Sequence, residues 1–448
     1  MATFTVQGGH KLEGVYEVSG AKNAGPKLII ATMLSDKPCT LRNIPRISDT
    51  EKILQAIREM GGECDWVAPS EVEGASHTVS VNCAGLNKSE VPAVVLTARH
   101  AVLFIGATLA RLGEVRIAKV GGDNIGKRPV DRIIAGLVSL GAKHEEHDGY
   151  LHMTMPERPA SRDYTFAKNT HTGTESLILG SIFNEGLVTI RNSAEEPEID
   201  NLIQFVNTMG ARVRRTDHRV IEVEGVSPLL GSATGESMYD RLEAATAITL
   251  AVMNGGDITV RNVDPLMVVA FTRELENMGV VFNWQGNSVS IQPSTEYLVP
   301  STIKTAVHPG FMTDWQPIIT LLLAYKANGR SEMHEMIYEQ RWSALYELGK
   351  MGVKYELFSP PGYDSTDYNF NEREFNKGEP YGAYVWGPTK LQATELASRD
   401  VRAGITVLLA ALFADGESKI SDPDGHIDRG YEDIVGKLQK LGAKIERS

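Results

Sequence analysis

Two kinds of hydrophobic run alternate along this chain. One is apolar nearly all round a helix, as in LEAATAITLAVM (242–253) and VRAGITVLLAALFA (401–414). The other is apolar on one face only, as in SDTEKILQAIREMG (48–61). A helix without a polar face must be buried from several sides, whereas an amphipathic one covers a surface. Between the two kinds lies a short strand: PCTLRN (38–43), EVRIAK (114–119), LVTIRN (187–192), DITVRN (257–262), RSEMHE (330–335) or SKISDP (418–423). Each amphipathic helix ends in Leu or Met followed by a glycine, at Gly61, Gly141, Gly210, Gly279, Gly352 and Gly442, and a strand follows. The glycine supplies a left-handed C-terminal cap.

The phrase therefore occurs six times, with gaps of 80, 69, 69, 73 and 90 residues between the glycines. That period is too long for ankyrin, TPR or leucine-rich units, which excludes a simple solenoid. An α/β fold with strands layered outside buried helices satisfies both helix types. The longest gap holds SPPGYDSTDYNFNEREFNKGEP (359–380), rich in Asn, Asp, Pro and Gly, which predicts a surface insertion between strands.

Composition narrows the class. A chain of 448 residues forms more than one domain with ample core. The net charge of −12, with no long Lys/Arg stripe, argues against bulk nucleic-acid binding and against a DNA-encircling ring. Cys39, Cys64 and Cys83 have no metal or redox spacing, and strand patterns around Cys39 and Cys64 predict buried, reduced thiols. The start MATFTVQGGHKLEG does not read as a signal peptide, and ITVLLAALFA (405–414) is too short to span a bilayer. A soluble, cytoplasmic protein is expected.

Charges that break the pattern carry the chemistry. Lys22, Arg99, Arg241 and Arg402 stand where nearly apolar helices begin, and Arg128, Arg341 and Arg429 stand in loops after the upstream strands. A cation at a helix N-terminus opposes the macrodipole. A shared phosphate or carboxylate removes the conflict, because backbone N–H groups and the side chain clasp the same anion. Repeat-equivalent cations are thus expected to converge on a multiply charged anion in a cleft between two halves. The plainer alternative is a set of local ion pairs, Arg241 with Asp240, Arg402 with Asp400 and Arg429 with Asp428. Lys22 stands out as the only charge in a loop of small residues.

The segments SGAKNA (19–24), GGDNIGKRPVD (121–131), EEPEI (195–199), HPGFMTDWQ (308–316) and HIDRGYE (426–432) give a further clue. Together, in order and through nearly the whole chain, they resemble the UDP-N-acetylglucosamine 1-carboxyvinyltransferases, enolpyruvyl transferases with the EPSP synthase-like fold. The resemblance implies a two-domain inside-out α/β barrel of six βαβ-type repeats, three per domain, around parallel buried helices. It places one domain at 22–238, with a mobile lid loop at about 119–131. It places the other at 1–21 plus 239–448, with the strands of TFTVQGG and GVYEVSG pairing into that C-terminal half.

The implied reaction moves the enolpyruvyl group of phosphoenolpyruvate to the 3-hydroxyl of UDP-GlcNAc by addition and elimination. It releases phosphate and opens peptidoglycan precursor synthesis. The small-molecule substrates are the implied partners, without nucleic acid or membrane, and no metal or redox cofactor is implied. By the same resemblance Lys22, Arg128, Arg402 and Arg429 hold phosphoenolpyruvate, and Lys22, Arg402, Asp123 and Asp314 are catalytic. Asp314 matches the carboxylate at the attacking hydroxyl. Asn23 and Ile337 contact the amino sugar, the latter through its backbone. Arg99, Arg128, Pro129, Val130 and Asp131 match the nucleotide contacts, and Thr170, His171, Thr172 and Gly173 align with the diphosphate loop. Glu196 and Glu198 either orient cations or cap the helix starting near Pro197, with capping preferred. His171 and His426 are assigned structural or substrate-orienting roles.

The lid departs from the family at one position, where many members carry cysteine and this chain has Asp123. Asp123 is either simple turn chemistry or the lid's proton carrier, and the second reading is preferred. Because fosfomycin alkylates that family cysteine, the departure implies insensitivity. Rival readings are transfer to UMP, transfer to shikimate 3-phosphate, and a catalytically silent UDP-sugar sensor.

Overall fold

All six repeat glycines sit in the left-handed half of the backbone map, with φ between 97° and 109°. Each closes a Schellman motif. At the first, Gly61 N donates to Arg58 O (3.0 Å) and Gly62 N to Ile57 O (2.9 Å); at the last, Gly442 N donates to Gln439 O (2.9 Å) and Ala443 N to Leu438 O (3.0 Å). The preceding Leu or Met is the C-cap and is buried at all six sites, from Met60 to Leu441. The dipeptide recurs because one residue anchors the helix end in the core while the next reverses the chain.

The computed structural model describes every residue except Met1, 69–76, 122–124, 127–129, 159, 228 and 294–295. The chain divides into two compact units. The first comprises Gly20–Gly122 and Arg128–Met238; the second comprises Met1–Ser19, Asp123–Lys127 and Tyr239–Ser448.

Strands of the described residues form five four-stranded sheets and one three-stranded sheet, three to each unit. They do not close into a barrel, which corrects that part of the expected architecture. Each upstream strand takes an antiparallel neighbour on one side and a parallel pairing on the other. Cys39–Arg42 runs antiparallel to Thr78–Asn82 and parallel to Thr234–Glu236. Ile258–Arg261 runs antiparallel to Ser288–Ile291 and parallel to Gly14–Glu17. The sixth sheet takes its antiparallel member from the chain start, Ala2–Gln7, which lies between Glu417–Asp422 and Lys444–Arg447. Both early strands thus belong to the second unit.

The first unit buries the helices Gly25–Ala31, Leu103–Leu112 and His171–Ser181 behind its sheets. The second buries Arg241–Asn254, Gln316–Lys326 and Val401–Leu412. Amphipathic helices such as Ser48–Glu59 set only their apolar face, Ile53, Leu54, Ala56 and Ile57, against the core. Cys39, Cys64 and Cys83 are buried free thiols, and burial pushes Cys64 up to about 12 and Cys83 to about 11. The 359–380 segment is not merely a surface insertion. Tyr368 and Phe370 are buried and form a small core of their own with Met336 and Tyr381.

In the first unit two buried helices meet at glycine. A Cβ on Gly106 would lie 2.2 Å from the Ser176 carbonyl oxygen. Gly106→Ala is expected to destabilise the protein by about 1–3 kcal/mol, the cost of overpacking a tight core. Chemical denaturation checks this, and an unchanged midpoint refutes the close approach.

Candidate active site

In the second unit the cations at helix starts are joined to caps. Asp400 precedes the helix Val401–Leu412, and its Oδ1 accepts from Arg402 N (2.9 Å) and Ala403 N (3.0 Å). Asp240 caps Arg241–Asn254 in the same way, accepting from Leu242 N (2.7 Å) and Glu243 N (3.1 Å). The aspartates therefore satisfy the helix N-termini. The guanidiniums reach elsewhere: Arg241 Nη1 donates to His308 Nδ1 (3.3 Å) and Arg402 Nε to Asp314 Oδ2 (3.3 Å). The plainer alternative, in which Arg402 pairs with its neighbour Asp400, is therefore not the arrangement found.

Asp314 is the centre of this cluster. It lies in the short turn Thr313–Trp315, with its side chain 22% exposed. Arg341 Nη2 donates to its Oδ1 at 2.7 Å, and Arg402 donates to the other oxygen. Arg402 Nη1 also donates to the Tyr431 hydroxyl (3.0 Å), which is 3.2 Å from Thr246 Oγ1. Both guanidiniums are buried. Burial works against their charge, but Asp314 and its neighbours outweigh it, with Asp400 and Glu335 acting on Arg341 and Tyr431 and Asp240 on Arg402. Both remain charged. The site thus presents two fixed cations and one partly open carboxylate.

Other predicted residues of this unit fall on short elements. Arg429 is buried in the helix His426–Gly430. Asp422 caps that helix, accepting from His426 N (2.8 Å) and Ile427 N (3.0 Å), and lies 3.5 Å from the His426 ring. Asp428 pairs with Arg447. Ile337 N donates to Glu335 Oε1 at 2.8 Å.

The first unit holds the remaining candidates. Lys22 is buried just before the helix Gly25–Ala31, its Nζ 3.4 Å from Asp49 Oδ2. It is therefore paired through a helix remote in sequence. Asn23 and Arg99 are half-buried, and Arg99 opens the turn Arg99–Val102. Val130 and Asp131 begin the helix Asp131–Ser139. Thr170 caps His171–Ser181, its Oγ1 accepting from Gly173 N at 3.3 Å, while Thr172 lies half-exposed in the first turn. Asp123, Arg128 and Pro129 lie outside the described residues.

One charged group in this unit escaped sequence reasoning. Lys27 and Glu175 sit on the buried helices Gly25–Ala31 and His171–Ser181 and form a buried ion pair at 2.8 Å. His171 Nε2 lies 2.8 Å from Lys27 Nζ and 3.2 Å from Glu175 Oε1. Burial pushes the Glu175 carboxyl up, but Lys27 and His171 hold it below the ordinary value. For Lys27 the signal is a lone charge inside an apolar run; Glu175, among Thr, Gly and Ser, carries none. Glu196 makes no side-chain cap to the helix Pro197–Thr208, its Oε1 lying 4.0 Å from His171 Nδ1, which corrects the capping preference for that residue; Glu198 stands in the helix's first turn, as that preference expects. Among the described residues no group of three or more His, Cys, Asp and Glu side chains is placed to hold a metal ion.

Comparison with known proteins gives a consistent result. The sequence profile of the EPSP synthase (3-phosphoshikimate 1-carboxyvinyltransferase) family matches residues 6–438. The UDP-N-acetylglucosamine 1-carboxyvinyltransferase 1 of Symbiobacterium thermophilum is 36% identical over 99% of this chain and 95% of its own length. The UDP-N-acetylglucosamine 1-carboxyvinyltransferase of Acinetobacter baylyi is 34% identical over the whole of both chains. Among solved structures, the enolpyruvyl transferase NikO from Streptomyces tendae has the same fold, with a TM-score of 0.83 and 21% identity over 100% of this chain and 99% of its own. An EPSP synthase from Acinetobacter baumannii scores 0.71 at 16% identity, with both chains fully covered.

Removing one partner of a buried ion pair strands the other. Lys27→Met is expected to cost about 3–5 kcal/mol, and Lys27→Met with Glu175→Leu to recover most of that. Urea denaturation of the three proteins checks this; a mild single variant, or a double variant no better than the single, contradicts it.

Proposed function

The chain belongs to the EPSP synthase family, within it to the UDP-N-acetylglucosamine 1-carboxyvinyltransferases, and from that membership we propose how its residues carry out the transfer. It is an enolpyruvyl transferase. The donor is phosphoenolpyruvate, the acceptor the 3-hydroxyl of UDP-GlcNAc, and the product a peptidoglycan precursor made in the cytoplasm. No helix among the described residues is long and apolar enough to cross a membrane.

The observation that carries the reading is Asp314 held between Arg341 and Arg402. The Asp314 carboxylate is the anion paired with Arg402 at 3.3 Å. Phosphoenolpyruvate brings a phosphate and a carboxylate that compete for that guanidinium, with Lys22, Arg128 and Arg429 as further partners. Once Arg402 turns to the substrate, Asp314 loses one of its stabilising cations and becomes a stronger base. It then takes the proton of the sugar hydroxyl as that oxygen bonds to C2 of phosphoenolpyruvate. C3 gains a proton from Asp123, leaving a tetrahedral ketal phosphate. Loss of a proton from C3 and departure of phosphate regenerate the vinyl group on the sugar oxygen. Cations placed in advance stabilise the charge carried by that intermediate. Asn23, Arg99, Val130, Asp131, Thr170, His171, Thr172, Gly173 and the Ile337 backbone are assigned to the nucleotide sugar, with Pro129 and Arg128.

Phosphate release is expected with UDP-GlcNAc, and not with UMP or shikimate 3-phosphate, as acceptor. Asp314→Asn is expected to lower kcat by about 10²–10⁴-fold, the usual contribution of a positioned base. A steady-state assay of the purified protein decides both, and release with UMP alone would reassign the acceptor.

The lid residue gives a separate test. A carboxylate is a far weaker nucleophile than a thiolate, and the three cysteines of this chain are buried with thiols held protonated. The unmodified protein is expected to resist fosfomycin, and Asp123→Cys to be active and sensitive. Time-dependent inactivation of the unmodified protein would falsify this.

A further inference from the structure

Glu335 follows the strand Gly329–His334 and has no exposed surface. Its carboxylate accepts four hydrogen bonds. Thr305 Oγ1 (3.0 Å), Ile337 N (2.8 Å) and Tyr338 N (3.2 Å) donate to Oε1, and Thr313 Oγ1 donates to Oε2 at 3.0 Å. Thr313 is the residue before Asp314. The segment from Ile337 and Tyr338 leads directly into Arg341. One carboxylate therefore holds both the Thr313 side chain beside Asp314 and the Ile337–Tyr338 backbone that leads to Arg341.

The same turn is held from its other side. Met336 N donates to Thr305 Oγ1 at 2.8 Å. Glu335 N donates to Tyr381 O (2.8 Å), and Asn369 N donates to Met336 O (2.8 Å). Asn369 lies in the insertion and Tyr381 at its end, where Tyr368, Phe370 and Tyr381 pack on Met336 with Ile337 at the margin. The segment that breaks the repeat is thus the outer wall of the turn carrying Ile337.

Filling space does not require a carboxylate here. Burial penalises the charge, and an apolar residue of similar volume removes that penalty. What the carboxylate adds is register between two loops, because its acceptors fix Thr313 and the Ile337–Tyr338 backbone together. We infer that Glu335 is a positioning residue: it sets the Asp314–Arg341 geometry from within, while the insertion secures the same turn from outside. The inference rests on the reading of Asp314 as the base toward the acceptor hydroxyl.

The test uses the full chain with steady-state kinetics in both substrates and a thermal melt. Glu335→Leu is expected to lower kcat/KM for UDP-GlcNAc by about 10²-fold, the cost of misplacing a catalytic group by about 1 Å. The KM for phosphoenolpyruvate should stay near that of the unmodified protein. Glu335→Gln recovers most of the loss, since one oxygen still accepts from the two backbone N–H groups and the Thr313 hydroxyl turns to meet the amide. Thr313→Val cuts only the link to Asp314 and is the milder variant should Glu335→Leu fail to fold. It is expected to shift the acceptor term in the same direction at an unchanged melting temperature. Equal losses in both substrates that track thermal stability overturn the inference, as does an unaltered acceptor term in Thr313→Val. Turnover by the unmodified protein with silent variants removes only the role of Glu335. Absence of turnover with UDP-GlcNAc removes the acceptor reading beneath it.

Discussion

Each unit depends on burying helices that have no polar face. Arg241–Asn254 buries every residue from Arg241 to Met253, and Val401–Leu412 buries its whole length. Such helices leave little room for charge along their sides, so charge is concentrated at their starts. There the backbone N–H groups need acceptors and the dipole favours anions. Asp240 and Asp400 meet that need, which frees the adjoining arginines for other partners. Cap and cation are therefore two parts of one arrangement: the aspartate makes a buried arginine at a helix start tolerable.

Several buried charges among the described residues sit in sets of close partners. Asp314 has a guanidinium on each oxygen, Glu335 has donors on both oxygens, and Lys27 lies against Glu175 and His171. Removing a partner from such a set costs more than the pair contributes, because the survivor stays desolvated. The sets differ in exposure. Glu175 and Glu335 are closed off, whereas Asp314 keeps part of its side chain open. That opening is what the proposed role of Asp314 as the base draws on, since a carboxylate with exposed surface can meet a substrate.

The repeat was legible in the sequence because its punctuation is chemical. The Leu/Met-Gly dipeptide performs one job six times, and no other residue pair does it as cheaply in backbone terms. The cations were legible for a similar reason, as charges that break an apolar run. Their partners were not. Asp49 for Lys22 and Asp314 for Arg402 come from distant segments, and spacing does not reveal such partners. Glu175 and Glu335 were not legible because each has an ordinary neighbourhood in sequence. Their meaning comes from burial, which periodicity indicates for a helix but not for one polar side chain within it. How the sheets are arranged is not legible for a related reason: repeated strands predict repeated sheets, and nothing local decides whether those sheets join.

The 359–380 insertion shows why composition alone misleads at such places. Its Asn, Asp, Gly and Pro content is that of an exposed loop, and most of it serves turns: Asp364 accepts from Thr366 N and Thr366 Oγ1, and Asp367 from Asp364 N. The aromatic residues among those turns follow neither a helix nor a strand period, so no pattern marks them as core. They become core because polar turns fold the segment back on itself, which lets Tyr368, Phe370 and Phe375 meet Tyr381 at ring distances of 4.9–5.6 Å. The resulting wall stands against Met336 and Ile337, one turn from Arg341. A loop that only connected two strands would not need this small core. Its position beside the Glu335 turn gives the longest gap in the repeat a physical purpose: it packs against the turn that carries Ile337, one of the proposed acceptor contacts.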